Sequence, residues 1–203
     1  MTVSTMVDYM FPEFTIDGKP IPDIRLRYRN VETALAEVLG VDAEHLPAFS
    51  ARFRNFRNLF LEVPKTGKGT QIEYNFEHVF NILLALELNT LGVAPLSAYG
   101  YAKVAVAQYK YASSEWEFKQ PTQQNPRGLE RRPSDEWPIL EDVYVIINHN
   151  VKGAYGERVD CRAILGTEQL AKAIDAGLVA FFTFNVSERI RNLMAAIRAQ
   201  NLT

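Results

Sequence analysis

Arg52, Arg54, Arg57, Lys65 and Lys68 oppose a single acid, Glu62, in one stretch of 17 residues. The chain as a whole carries 22 Lys+Arg and 24 Asp+Glu, a net charge of −2, so the basic excess there is local. Guanidinium and ammonium groups concentrated in this way pair with phosphate oxygens. Guanidinium also matches guanine O6/N7, and the carboxamides of Asn55 and Asn58 match the adenine edge. At helical spacing Arg54 and Arg57 lie three apart on one face with Asn58 next to them, and Arg52 lies farther round. Phe49, Phe53, Phe56 and Phe60 form an i, i+4, i+7, i+11 series, the stripe of a helix that anchors in a core. One face holds, and the other presents Arg54, Asn55, Arg57 and Asn58. A helix entering a DNA groove needs this division; a solvated basic face has the same composition.

Other chemistry finds little material. His45, His78 and His149 show no metal-ligand spacing. Cys161, the one cysteine, excludes an internal disulfide or a thiolate cluster and reads as a small buried hydrophobe in an apolar strand. Gly67-Lys68-Gly69-Thr70 lacks the G-x-x-x-x-G-K-[ST] spacing of a phosphate loop. No catalytic, cofactor-binding or metal-binding residue is assigned, and the chain reads as a non-enzyme. Met1–Tyr9 has neither a basic n-region nor an apolar core, and the longest apolar stretch, Gly177–Phe184, is far short of the ~20 residues of a membrane span. A cytoplasmic protein with no membrane partner is expected.

The elements that must position the basic stretch follow from periodicity. Residues 1–29, with Pro12, Gly18, Pro20 and Pro22, read as an extended arm, and Arg25, Arg27 and Arg29 alternate as either a strand or a pre-helix segment. Asn30 can cap a first helix bearing Val31, Ala34, Leu35, Val38 and Leu39, with Gly40 past its end. Glu44–Leu59 gives the second helix, with Pro47 in its first turn. Leu61–Tyr74 has the chemistry of a hairpin, with Lys65-Thr66-Gly67-Lys68-Gly69 at its tip. Asn75 can cap a third helix through about Leu91, ended by Gly92, and a fourth follows Pro95. Tyr99, Tyr101, Tyr109 and Tyr111 on that fourth helix read as a packing face or a dimer surface rather than as base-stacking groups.

Residues 113–138, with Pro121, Pro126, Pro133 and Pro138 and the run Glu130-Arg131-Arg132, read as a linker. An α+β texture follows over 139–203. Strands are expected over Val143–Asn148, Val159–Leu165 and Leu178–Phe184, the last fully buried. A helix capped by Thr167 and an amphipathic helix over Ser187–Gln200 complete it. The Ile190, Leu193, Met194 and Ile197 stripe either fills this domain's own core or meets a second copy.

The order helix, turn, helix, two-stranded wing, helix, helix resembles the MerR-type winged helix-turn-helix family over residues 31–105. Ala34-Leu35-Ala36-Glu37-Val38-Leu39-Gly40-Val41 is similar to that family's first-helix motif. Gly69-Thr70-Gln71-Ile72-Glu73-Tyr74 before Phe76-Glu77-His78-Val79 is similar to its wing return. Leu86-Glu87-Leu88-Asn89-Thr90-Leu91-Gly92-Val93-Ala94-Pro95-Leu96 resembles its step into the fourth helix. The resemblance implies DNA binding through the second helix and the wing.

The expected fold is therefore α+β: a winged helix-turn-helix domain over 30–112, a linker over 113–138 and a small α+β domain over 139–203 for dimerisation or an effector. The expected function is sequence-specific binding of double-stranded DNA by a homodimeric, nucleoid-associated transcription regulator. Arg52, Arg54, Asn55, Arg57, Asn58, Lys65, Thr66 and Lys68 would make the contacts. RNA polymerase or a small-molecule effector would be further partners of such a regulator. The alternative is a recombination or packaging accessory of a phage or mobile element, excisionase-like or terminase small subunit-like, using the same domain architecturally.

Overall fold

The computed structural model describes residues 13–60, 72–120, 122–126, 128–136, 139–153, 156–176 and 182–200. Among them the fold is mixed α+β, with small antiparallel sheets. The strands are β1 (Thr15–Ile16), β2 (Lys19–Pro20), β3 (Leu26–Arg27), β4 (Glu73–Tyr74), β5 (Trp116–Phe118), β6 (Leu129–Arg131), β7 (Val143–Gly153), β8 (Gly156–Leu165) and β9 (Phe182–Asn185). The helices are α1 (Tyr28–Val38), α2 (Leu46–Phe60), α3 (Phe76–Thr90), α4 (Pro95–Ser113), α5 (Gly166–Asp175) and α6 (Val186–Gln200), with a 3-10 turn at Ala43–His45 before α2. None of the described helices is long and apolar enough to cross a membrane. The chain divides into two compact units: Pro22–Val106 with the helix from Glu188 onward, and the segment up to Ile21 with Ala107–Ser187.

In the first unit α1, α2 and α3 pack on one another. Val31, Ala34 and Leu35 of α1 and Phe49, Phe53 and Phe56 of α2 are buried, as their spacing requires. Helix α3 is apolar nearly all round and accordingly sits inside, with Val79, Phe80, Ile82, Leu83, Leu84 and Leu86 at 0–1% exposure. Its start is capped as expected: the Asn75 side chain accepts the His78 N–H at 2.8 Å. Gly40 (φ +63°) and Gly92 (φ +90°) end α1 and α3 in the left-handed region, which glycine enters without a Cβ clash. Leu91, the expected last residue of that helix, is the C-cap of α3 and is exposed.

Two expectations in this unit need correction. Asn30 does not cap α1. The helix starts at Tyr28 because Leu26–Arg27 pairs antiparallel with Glu73–Tyr74, which leaves Arg27 extended as an N-cap without a side-chain bond. The alternating arginine segment is thus both things its pattern allowed, a strand and then a helix start. The stripe Ile190, Leu193, Met194 and Ile197 is buried to 0–6% exposure within the single chain. It belongs to the unit of α1–α3 rather than to a separate C-terminal core, so it offers no surface to a second copy.

In the second unit the N-terminal segment is not merely an extended arm. Asp17 and Gly18, both at positive φ, turn β1 back onto β2. Tyr109 is buried there, stacks on Phe14 and donates its hydroxyl to the Thr15 carbonyl at 2.6 Å, a packing role. The proline-rich stretch expected as a linker holds the β5–β6 ladder. Its charged run closes that ladder: Arg131 donates to Glu115 at 2.7 Å, and Lys119 meets Glu130 at 3.2 Å.

Strands β8, β7 and β9 form one antiparallel sheet in that order, with Val143, Val145 and Ile147 buried. The ladder of β7 and β8 runs on to Gly153 and Gly156, beyond the expected strand ends at Asn148 and Val159. Residues 178–181 of the expected third strand lie outside the described residues. The part described, β9, is a partly exposed edge strand rather than a fully buried one. Thr167 does not cap α5, which begins at Gly166 directly after strand β8. Cys161 is half-buried rather than buried as its apolar strand implied.

Candidate nucleic-acid interface

Helix α2 begins at Leu46 with Pro47 in its first turn, where the missing N–H is no loss. From there the phenylalanine stripe sets its rotation. Phe49, Phe53 and Phe56 are 0–7% exposed, and their rings hold one face of the helix inward. The side chain of Phe60 lies outside the described residues. The remaining face turns outward by geometry alone. Arg52, Arg54, Asn55 and Asn58 are exposed, and Arg57 is half-buried. Among the described residues none of the three arginines forms an ion pair with a carboxylate.

The arginines are not equivalent. The Arg57 Cζ lies 5.3 Å from the centroid of the Tyr28 ring, a cation–π contact. Its Nε and Nη2 both donate to Asn58 Oδ1, at 3.1 and 2.7 Å. The same Tyr28 ring stacks on Phe53 at 5.0 Å, so one side chain from the start of α1 touches both the core stripe and the outer ridge of α2. The Tyr28 hydroxyl donates to Glu32 at 3.3 Å. Burial pushes the Tyr28 phenol above its ordinary value, the Glu32 carboxylate adds to the rise, and Arg54 opposes it.

Tyr74 completes the surroundings. It is fully buried and pairs across the β3–β4 ladder with Leu26, and its hydroxyl lies within the influence of the Arg57 guanidinium. Burial raises its pKa and the Arg57 cation opposes the rise. Tyr28 and Tyr74 carried no local signal, because each meets Arg57 only through the fold.

Lys65, Thr66 and Lys68, expected at the tip of the wing, lie outside the described residues. What is described is the end of that segment, Glu73–Tyr74, bonded to Leu26–Arg27. His45 is exposed, and burial lowers the pKa of His78. Among the described residues no group of three or more His, Cys, Asp or Glu is placed to hold a metal ion. The arrangement can therefore present hydrogen-bond donors and positive charge on a rigid helix. No protein-family model matches the chain, and no curated protein matches it.

Proposed function

We propose that this protein binds double-stranded DNA sequence-specifically through α2, as a winged helix-turn-helix protein that acts as a homodimer in transcription regulation. One observation carries the reading: the two faces of α2 are separated, phenylalanines inward and Arg52, Arg54, Asn55, Arg57 and Asn58 outward. Guanidiniums with no carboxylate partner among the described residues can meet phosphate, and an α-helix fits the major groove. The packing of α1, α2 and α3 supports the helix-turn-helix reading, and the antiparallel β3–β4 pair supports a wing rooted at Tyr74. Lys65, Thr66 and Lys68 would lie on that wing against the backbone.

With α6 occupied internally, the dimer seam moves to the exposed side of α4, where Leu96 is 77% and Val104 43% exposed. A regulator of this kind would answer to RNA polymerase or to a small-molecule effector; that output is an analogy with other DNA-binding proteins. The test is a titration of fluorescent duplex DNA with the purified protein at several salt concentrations. The reading expects binding whose log K falls linearly with log salt, by about 0.9 per phosphate neutralised. Absence of binding at about 50 mM salt, where phosphate contacts are least screened, overturns it.

A further inference from the structure

Arg57 is the arginine of the ridge held at the most points before any partner arrives. Arg52 and Arg54 are exposed, with Arg54 beside the Tyr28 hydroxyl, whereas Arg57 is half-buried, lies over the Tyr28 ring and is bonded twice to Asn58 Oδ1. Tyr28 in turn cannot drift, because its ring stacks on Phe53, which is fully buried. The guanidinium plane is thus referenced to the core through one aromatic ring.

We propose that Arg57 is the specificity-determining residue of this ridge, reading a guanine edge, and that Tyr28 is its positioning residue. The inference rests on the DNA-binding reading above. Asn58 Oδ1 occupies the Nε/Nη2 side of the fork. The end-on edge, with one N–H each from Nη1 and Nη2, is the edge whose geometry suits a planar pair of acceptors. Guanine O6/N7 and two phosphate oxygens share that chemistry. A phosphate accepts from many directions and is served as well by a mobile arginine, so a pre-set plane matters most where direction discriminates, at a base. Asn58 becomes a support in this arrangement. Pairing adenine needs both its Oδ1 and its Nδ2, and Oδ1 is engaged; Asn55 is left as the carboxamide able to read adenine.

The experiment is selection of bound sequences from random duplex DNA with wild type, Y28F, Y28L and R57K, beside NMR relaxation of the arginine Nε–H groups in the free proteins. Wild type is expected to select a motif containing an invariant guanine, and Y28F, which keeps the ring, to select the same motif. R57K keeps the charge and leaves the core untouched. It should lose preference at that guanine by about 10- to 100-fold, the range of a bidentate contact, with the rest of the motif intact. Y28L should lose the same position, and its Arg57 Nε–H should become as mobile as those of Arg52 and Arg54. An unchanged motif in R57K and Y28L overturns the inference and leaves DNA binding standing, as does equal mobility of the three arginines in wild type. A wild-type protein that selects no DNA overturns the DNA-binding reading, and this inference with it.

Discussion

Arg52 and Arg54 are exposed and, among the described residues, make no ion pair with a carboxylate, so under the proposed function their removal affects DNA binding more than the fold. Each single change to alanine should leave stability within about 0.5 kcal/mol and lower the salt slope of duplex binding by about 0.9, read by thermal melts and by titration. Glu87 is the opposite case. Its side chain is 11% exposed, its Oε1 meets Arg189 Nε at 2.9 Å, and its Oε2 is buried with no hydrogen-bond partner among the described residues. Burial raises its pKa above the ordinary 4.5, with Arg189 opposing. A carboxyl raised in the folded state holds its proton to higher pH than in the unfolded chain. Its contribution therefore favours folding at acid pH, and stability is lost as pH rises from 4.5 through the folded pKa. Glu87→Gln should flatten that fall in denaturant midpoint against pH; a steeper fall would contradict the sign. The arginine ridge was legible because helical periodicity is a local property of residues 49–58. The Tyr28 contact was not, since it joins the first residue of one helix to the middle and end of another.

At the scale of elements, α2 and α3 depend on a few identifiable groups. Phe53 is fully buried at the meeting of α1 and α2 and touches both Phe49 and Tyr28. Phe53→Ala should cost about 3–5 kcal/mol and release the Tyr28 ring, seen as a lowered melting temperature with duplex binding lost in parallel. Asn75→Ala removes the acceptor for the His78 N–H and should cost about 1 kcal/mol without changing the salt slope. Helix ends were readable where the chemistry is local, with Gly40 and Gly92 as stops and Asn75 as a start. The caps of the helices that start at Tyr28 and Gly166 lie three and two residues before the expected Asn30 and Thr167, because a strand leads directly into each and strand pairing overrides a nearby capping side chain. The β5–β6 ladder was hidden because its composition reads as a linker, and its cross-strand ion pairs join residues 11 to 16 apart. The Asp17-Gly18 turn had a readable signal, a hairpin dipeptide, within a segment dominated by prolines.

At the scale of the molecule, the C-terminal helix is part of the unit that bears the candidate interface. Ile190, Leu193 and Ile197 are 0–1% exposed there, and Arg189 meets Glu87 of α3. This long-range closure left no trace in local patterning, since an amphipathic stripe does not name the surface it covers. Truncation after Ser187 should therefore unfold α1–α3 rather than release a working N-terminal half, and Leu193→Ala should cost about 2–5 kcal/mol in a denaturant melt. A truncated chain that melts like wild type would show that α6 is dispensable. The claim on which the functional account turns is that the outward face of α2 meets DNA. Its most direct measurement is duplex binding by wild type and by R52A/R54A/R57A across a range of salt. The account predicts that the triple variant, folded and melting like wild type, binds at least about tenfold more weakly at about 100 mM salt with a flatter slope. Equal affinity and equal slope for the two proteins would contradict it.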